Sequence, residues 1–390
     1  MSTLQKLLLL GITILLTEMG WIAPCLGQTS GVLLGIAGES STEETDTQTF
    51  GTIHAPKYRT LWVASDGKGE LKVLASLPEL IVPRKDGFWH IGVEQVCEFD
   101  DGSLTSSPGN ESLRQVVWAA PATRAAIVEQ RHPCAPHKLE DYAPPHFRSE
   151  QDENKISQCG FELVNLLYAS PQVISISRYS GQSEDCEERG GRYQFDFKVR
   201  NFDSDEALSF GTLLGLDAHR AYLRALPRHA VGDNGENCGE PDQTTDTGWR
   251  IAHARGRWRP YVNQSLGFFG CAIDAAVNFA LPASLTGDAS LSLDWKVLQS
   301  KLSPSNPGDV ADGYVSPNGD LLIASSPSEN KIFELRAGVP GKLFLTLPQG
   351  KIVMAQWATG RHVQEWTEKL GELAHQQRPA PVVQAKPPSR

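Results

Sequence analysis

Short apolar runs separated by turn residues dominate the first part of the chain. From Thr60 onward, runs of β-branched and aromatic residues are divided by turns at residues 66–69 and 85–87, both containing Asp-Gly. Runs of this length between Asp-Gly turns are typical of antiparallel strands joined by hairpins. The pattern predicts an N-terminal β-meander domain over residues 57–150.

The middle of the chain combines two periodicities. Residues 173–177 and 193–199 alternate apolar and polar side chains, which is typical of strands with one wet face. Residues 156–167 and 218–226 have apolar positions at helical spacing. This mixture predicts a central α+β domain over residues 151–305.

The last part of the chain returns to short strands and then changes to a helical pattern. Its strands are grouped around an Asn-Gly turn at residues 318–319, and Thr359 is a suitable N-cap for the segment that follows. The apolar residues of that segment fall on one helical face: Val363, Trp366, Leu370 and Leu373. Residues 306–376 are therefore predicted to form β-hairpins closed by a helix.

The extreme N-terminus has the pattern of an export signal. A lysine precedes a Leu-rich, largely apolar run at positions 7–16, which is too short to span a bilayer of about 30 Å. Residues 1–27 are therefore predicted to be a signal peptide cleaved after Gly27, which indicates a periplasmic or extracellular protein. An alternative is a lipoprotein anchored at Cys25. No later run approaches about 18 apolar residues, so we expect no transmembrane segment after cleavage.

Two further segments have few residues that could form a core. Residues 28–56 are rich in Ser, Thr and Glu, and residues 377–390 are rich in proline. Segments of such composition bury too little apolar surface to offset their conformational entropy. We expect a flexible segment at the first position and a disordered tail at the second.

The overall fold class predicted from these patterns is α+β, rich in β-structure and divided into several domains. The first and last strand blocks also resemble each other and the blades of β-propellers. Two blocks are fewer than the four blades that a propeller needs, so this likeness alone does not predict a propeller.

Six cysteines remain after the signal sequence. In an oxidising compartment an even number indicates disulfides, and pairing of sequence neighbours predicts three loops of about 30 residues, each stabilising by about 3 kcal/mol. The predicted pairs are Cys97–Cys134, Cys159–Cys186 and Cys238–Cys271. Other connectivities remain open. Zinc binding around Cys134 is a second alternative, because His132, His137 and His146 lie near it.

The central region resembles a bacterial exported domain that occurs beside polysaccharide deacetylases and in lysozyme-sensing anti-sigma factors. The resemblance covers residues 160–302, and three pieces carry it: LLYASPQVISISRYSGQ at 166–182, RYQFDFKVRNFDSDEALSFGTLLG at 192–215 and FALPASLTGDASLSLDWKVLQSKL at 279–302. It implies an accessory or binding module of the cell envelope, with no catalytic residues to transfer.

Charge and motifs exclude several functions. The net charge of −10 argues against nucleic-acid binding, which normally needs a basic face. The sequence contains no Gly-x-Ser-x-Gly elbow, His-Glu-x-x-His motif, P-loop or dinucleotide fingerprint. We therefore predict no cofactor, no metal and no catalytic residue.

Acidic residues of the central region leave open, as the alternative function, a hydrolase that acts on a glycan or an ester through its carboxylates. A glycosidase needs two carboxyl groups beside a cleft, and the candidates lie in two acidic segments. They are Asp203, Asp205, Glu206, Asp233, Glu236, Glu240, Asp242 and Asp246. The simpler interpretation is a solvated acidic loop held by Cys238, since charge runs are usually exposed.

One basic and aromatic segment stands out in this acidic chain, at residues 249–261. Guanidinium groups suit carboxylate or phosphate, and flat aromatic rings suit sugars and cations. The predicted ligand-binding residues are Trp249, Arg255, Arg257, Trp258, Arg259 and Tyr261. In a strand the three arginines would share one face. Alternatively, the arginines pair with the acidic loop and the tryptophans are core residues.

These observations predict a non-enzymatic exported module that binds an anionic envelope polymer or an extracytoplasmic protein.

Overall fold

The computed structural model describes most of the chain between residues 30 and 376. The described ranges are residues 30–38, 55–99 without 67, 111–122, 158–182, 193–265 without 203 and 232–236, 271–287, 295–302, and 310–376 without 311. The predicted signal peptide, Cys25 and the predicted tail lie outside these residues.

One four-stranded antiparallel sheet joins the two ends of the described chain. Its strands are β1 (Gly31–Ala37), β2 (Tyr58–Ser65), β3 (Leu71–Leu77) and β19 (Lys351–Ala358), in the order β19-β1-β2-β3. Val32, Leu33 and Leu34 of β1 are completely buried. The prediction of a flexible segment over 28–56 is therefore wrong for Gly31–Ala37, which is an inner strand with an apolar side chain on each face.

The largest sheet has six strands in chain order. They are β4 (Leu80–Arg84), β5 (Gly87–Phe99), β6 (Glu111–Pro121), β7 (Gln158–Ala169), β8 (Ile174–Gln182) and β9 (Tyr193–Arg200). The helical spacing at residues 156–167 was misleading, because β7 occupies most of this range. Residues 111–114 of β6 pair in parallel with β7, so the sheet crosses the boundary predicted at residue 150.

The centre of the chain contains the predicted helix and a small ribbon. Helix α1 (Phe210–Leu214) is followed by α2 (Leu216–Ala225), which confirms the helix predicted over 218–226. Strands β10 (Ala230–Val231) and β11 (Asn237–Gly239) form a two-stranded ribbon. Helix α2 buries Ala218, Ala221 and Tyr222 on one face.

Two smaller antiparallel sheets complete the fold. The first contains β12 (Trp249–Ala254), β13 (Arg257–Ser265) and β14 (Ala272–Ala276), followed by α3 (Ala283–Thr286) and α4 (Trp295–Leu302). The second contains β15 (Asp312–Val315), β16 (Leu321–Ser325), β17 (Asn330–Arg336) and β18 (Val339–Leu347). Helix α5 (Arg361–Gln376) ends the described chain.

The β-rich character predicted from the sequence is confirmed. Four of the sheets stand in a β-propeller arrangement, and the chain also has a C-terminal helix. The core does not follow the predicted domain boundaries. One buried cluster includes Leu61, Trp249 and Ile352, which come from the three predicted domains, together with Val32 from the predicted flexible segment. Among the described helices, none has the length and apolar character needed to cross a bilayer.

Candidate anion-binding pocket

The basic segment forms a tight hairpin. Strands β12 and β13 pair antiparallel, with Ala254 opposite Arg257, and only Arg255 and Gly256 connect them. Both turn residues have positive φ, 54° and 79°, as a type I′ hairpin turn requires. Arg255 thus lies in the turn and not in the strand, so the strand row of arginines consists of Arg257 and Arg259.

Asp312 fixes the position of this hairpin. One of its carboxylate oxygens accepts a hydrogen bond from the Gly256 N–H at 2.8 Å, and the other pairs with His253 Nδ1. The His253 ring is buried between neighbouring aromatic residues, with a ring centroid 3.8 Å from that of Tyr314. The turn beside the arginines is therefore anchored to β15.

A pocket of about 440 Å³ lies beside the outer edge of β13. Strand β14 pairs only with residues 261–265 of β13, and the Val277 N–H makes a further bond to the Pro260 carbonyl at 2.9 Å. The three successive residues Arg257, Trp258 and Arg259 all line the pocket. Alternate strand residues face opposite sides, so only a site at the strand edge can contact three in a row. The pocket thus occupies the space where β14 ends.

The opposite wall comes from residues that the sequence did not indicate. It consists of residues 276–281 together with Ala283 and Thr286 of α3. Helix α3 is held from the core side, because the buried Tyr168 hydroxyl donates a hydrogen bond to the Leu285 carbonyl. This anchoring gives the pocket a wall of fixed position.

The described lining residues include positive charges and no carboxylate. Its ionisable residues are Arg257 and Arg259, and Asn278 and Thr286 are its uncharged polar residues. Both arginines are exposed, and neither forms a hydrogen bond or an ion pair with another residue that the structure describes. Guanidinium forks match carboxylate and phosphate in geometry, so the pocket is suited to an anionic group.

The two tryptophans predicted as binding residues lie in the core. Trp249 is completely buried and donates from Nε1 to the Leu208 carbonyl at 2.8 Å. Trp258 is 3% exposed and packs edge-to-face on Tyr168, with centroids 4.5 Å apart. Tyr261 is half-buried on the opposite face of β13 from Trp258. Of the three predicted aromatic residues, Tyr261 is the one at the surface.

The acidic candidates that the structure describes do not line this pocket. Asp246 is buried and bonds His219 Nδ1 and the Gly211 N–H, each at 2.7 Å. Burial acts to raise its pKa, but hydrogen bonds from Ser209, His219 and Gly211 lower the pKa below the ordinary value. This carboxylate therefore ties the start of α1 to α2.

The other described carboxylates among the hydrolase candidates have local partners or are exposed. Hydrogen bonds from Thr244 and Thr245 lower the pKa of Asp242. Asp205 pairs with Arg200 at 3.3 Å, whereas Glu206 and Glu240 are exposed. The other candidates, Asp203, Asp233 and Glu236, lie outside the described residues.

One predicted disulfide is confirmed, and it encloses the hairpin that carries Arg257 and Arg259. Cys238 and Cys271 are bonded, with Cα atoms 5.6 Å apart, and the closed loop contains the whole β12–β13 hairpin. Each other predicted pair includes a cysteine outside the described residues, Cys134 or Cys186. The alternative zinc ligands around Cys134 also lie outside them, and no metal-binding cluster occurs among the residues that are described.

No protein-family model matches this chain, and no curated protein is significantly similar to it.

Proposed function

We propose that the protein is a non-enzymatic, exported binding module of the bacterial cell envelope. In this proposal Arg257 and Arg259 hold an anionic group of the ligand. The observation that carries it is a pocket lined by two arginine residues and, among the residues that the structure describes, by no carboxylate. Its volume of about 440 Å³ lies within the range of about 300–1,000 Å³ found for ligand sites.

The carboxylates support binding over hydrolysis. A general acid of a glycosidase needs a raised pKa, whereas the pKa values of Asp242 and Asp246 are lowered by hydrogen bonds. Asp246 also uses its carboxylate to join two helices. Neither residue lines the pocket beside Arg257.

The signal-like N-terminus and the resemblance of residues 160–302 support an envelope location. An exported anion-binding module would meet carboxylate-bearing and phosphate-bearing polymers there. A pocket at the edge of a strand could accept one carboxylate or phosphate group of such a polymer. The binding energy would come from charge-assisted hydrogen bonds, each contributing about 1.5–3 kcal/mol.

The test is retention on purified cell-wall material, comparing the wild type with the Arg257→Ala/Arg259→Ala double variant. We expect the double variant to bind at least about tenfold more weakly, because it lacks both guanidinium groups. Wild-type binding should also weaken as salt rises, since exposed charges are screened within about 8 Å at physiological ionic strength.

Arg255→Asn provides a matched control. It removes an arginine that lies next to the pocket but does not line it, and asparagine tolerates the positive φ of this turn. The control should bind like the wild type. Equal retention of the double variant and the wild type, with unchanged circular dichroism, would refute the proposal.

A further inference from the structure

A strip of aromatic side chains crosses the surface next to the arginine face, and we call Tyr179, Phe195 and Phe197 the aromatic strip. Phe195 and Phe197 are alternate residues of β9 and pack edge-to-face with centroids 4.7 Å apart. Tyr179, opposite Phe195 on β8, lies 6.4 Å from its ring. Phe195 is 44% exposed. Tyr179 and Phe197 are half-buried beside it, so the strip presents one exposed ring flanked by two partly exposed rings. Exposed apolar patches on a protein surface commonly mark interaction sites.

Arg250 connects the aromatic strip to the face of β13. Its guanidinium carbon lies 5.1 Å from the Phe197 ring centroid and 4.6 Å from that of Tyr261. The same guanidinium makes two hydrogen bonds to Asp274, at 2.7 and 3.3 Å. Its charge is therefore already paired, and its role is to hold the two aromatic surfaces together.

The connected surface leads to the pocket. Tyr261, Arg259 and Arg257 alternate along β13, so their side chains emerge on one face. Two residues of a strand advance about 6.8 Å, which places Arg257 about 13 Å from Tyr261. A single face therefore runs from the aromatic strip across Tyr261 to the two arginines at the pocket.

This order of groups favours one ligand chemistry. Sugar rings pack their C–H faces on aromatic rings while their hydroxyl groups stay in water, so an exposed strip suits them. The arginines require negative charge at the other end of the same face. A purely acidic peptide such as polyglutamate would satisfy the arginines but has no ring to stack on the aromatic side chains, and an acyl chain alone would leave the guanidiniums unpaired.

We infer that the ligand is an anionic polysaccharide, whose sugar rings stack on the aromatic strip and Tyr261 while a carboxylate or phosphate enters the Arg257–Arg259 pocket. This inference rests on the proposed function, because it assigns the class of ligand to the same pocket. The aromatic strip then sets the preference for a glycan, and the arginines set the preference for an anion.

The experiment measures affinity for four immobilised polymers of similar length. They are polygalacturonate with carboxylates, phosphomannan with phosphodiesters, neutral dextran, and polyglutamate as a polyanion without sugars. The wild type should bind at least one anionic glycan about tenfold or more tightly than dextran and polyglutamate. Whichever anionic glycan binds more tightly identifies the anion.

The decisive variant is Phe195→Ser, with Leu343→Ser as its control. Leu343 is also 44% exposed but lies on β18 in another sheet. Loss of one stacking ring should weaken glycan binding about fivefold and leave polyglutamate binding unchanged. The Leu343 variant should match the wild type on every polymer, and both variants should retain the circular dichroism of the wild type.

The outcomes separate this inference from the proposed function. If polyglutamate binds as tightly as the glycans, or Phe195→Ser has no effect on them, the polysaccharide assignment is refuted. The pocket would still stand if Arg257→Ala/Arg259→Ala weakened every anionic polymer. If that double variant binds all four polymers like the wild type, the proposed function fails.

Discussion

Removal of the Cys238–Cys271 disulfide should destabilise the protein by about 3–4 kcal/mol. The two cysteines are 33 residues apart. In the chain-entropy model a loop of this length lowers the entropy of the unfolded state by about 12 cal/mol/K, which is about 3.7 kcal/mol at 25 °C. Both cysteines are buried, so Cys→Ala changes place no new polar group in the core.

The measurement is urea unfolding of the wild type and the Cys238→Ala/Cys271→Ala variant, followed by tryptophan fluorescence. Trp249 and Trp258 are buried inside the closed loop and should report on it directly. Because one core cluster joins Val32 to Trp249 and Ile352, we expect a single cooperative transition. Coincident curves from fluorescence and far-UV circular dichroism would verify this condition.

As a control, the affinity of the Cys238→Ala/Cys271→Ala variant for the anionic polymers is measured under native conditions. Its affinity should be unchanged, because backbone pairing of β12 with β13 holds Arg257 and Arg259, and neither cysteine lines the pocket. A loss of stability below about 1 kcal/mol would refute the loop-entropy reasoning, since an average point substitution alone costs about that much.

Two further predictions concern a buried carboxylate and the C-terminal helix. The pKa of Asp246 is lowered in the folded state, so its carboxylate stabilises the protein above its unfolded pKa of 3.8 and loses this effect as pH falls through the folded value. The stability difference between wild type and Asp246→Asn should therefore be constant above about pH 5 and shrink in more acidic urea titrations; a difference that grows there would contradict it. Leu370 is completely buried, so Leu370→Ala should cost about 3 kcal/mol in the same assay. The exposed Glu368→Ala on the same helix should change stability by less than about 0.5 kcal/mol, and equal losses would show that the helix is not docked by this face.

Periodicity predicted the elements whose burial is one-sided. Leu370 and Leu373 of α5 are buried, and Val363 and Trp366 pack against the same core cluster, as the helical spacing indicated. The same applies to the strand predicted at residues 193–199, which is β9. A one-sided element repeats its apolar residues at the period of its own backbone, so the sequence is sufficient to find it.

Elements buried on both sides were missed or misread. Strand β1 reads GVLLGIA, a continuous apolar run without alternation, and the polar residues that follow it concealed it. Strand β7 has apolar residues on both faces, and their spacing also fits a helix. A continuous apolar run cannot distinguish a central strand from a buried helix by period alone.

The pocket depends on where β14 stops pairing with β13, and the periodicity of the sequence does not indicate that point. The sequence indicated Arg257 and Arg259, but the opposite wall exists because β14 ends before it would reach them. Arg255 was misplaced because the turn Arg255-Gly256 lacks the Asn-Gly pair common in such hairpins. The glycine after Arg255 was the available signal for that turn.

The pairing of β1 with β19 has a kinetic consequence. The sheet that contains both strands uses residues from the two ends of the described chain, and Trp62 Nε1 donates to Thr367 Oγ1 across 305 positions of sequence. Contacts of such long range form slowly, because the intervening chain must first be confined. Until β19 arrives, β1 has an open edge with apolar residues on both faces, which is the part of a folding intermediate most prone to pair with another molecule. The time that β19, the last strand described, takes to pair with β1 therefore sets how long the newly made protein is at risk of aggregation.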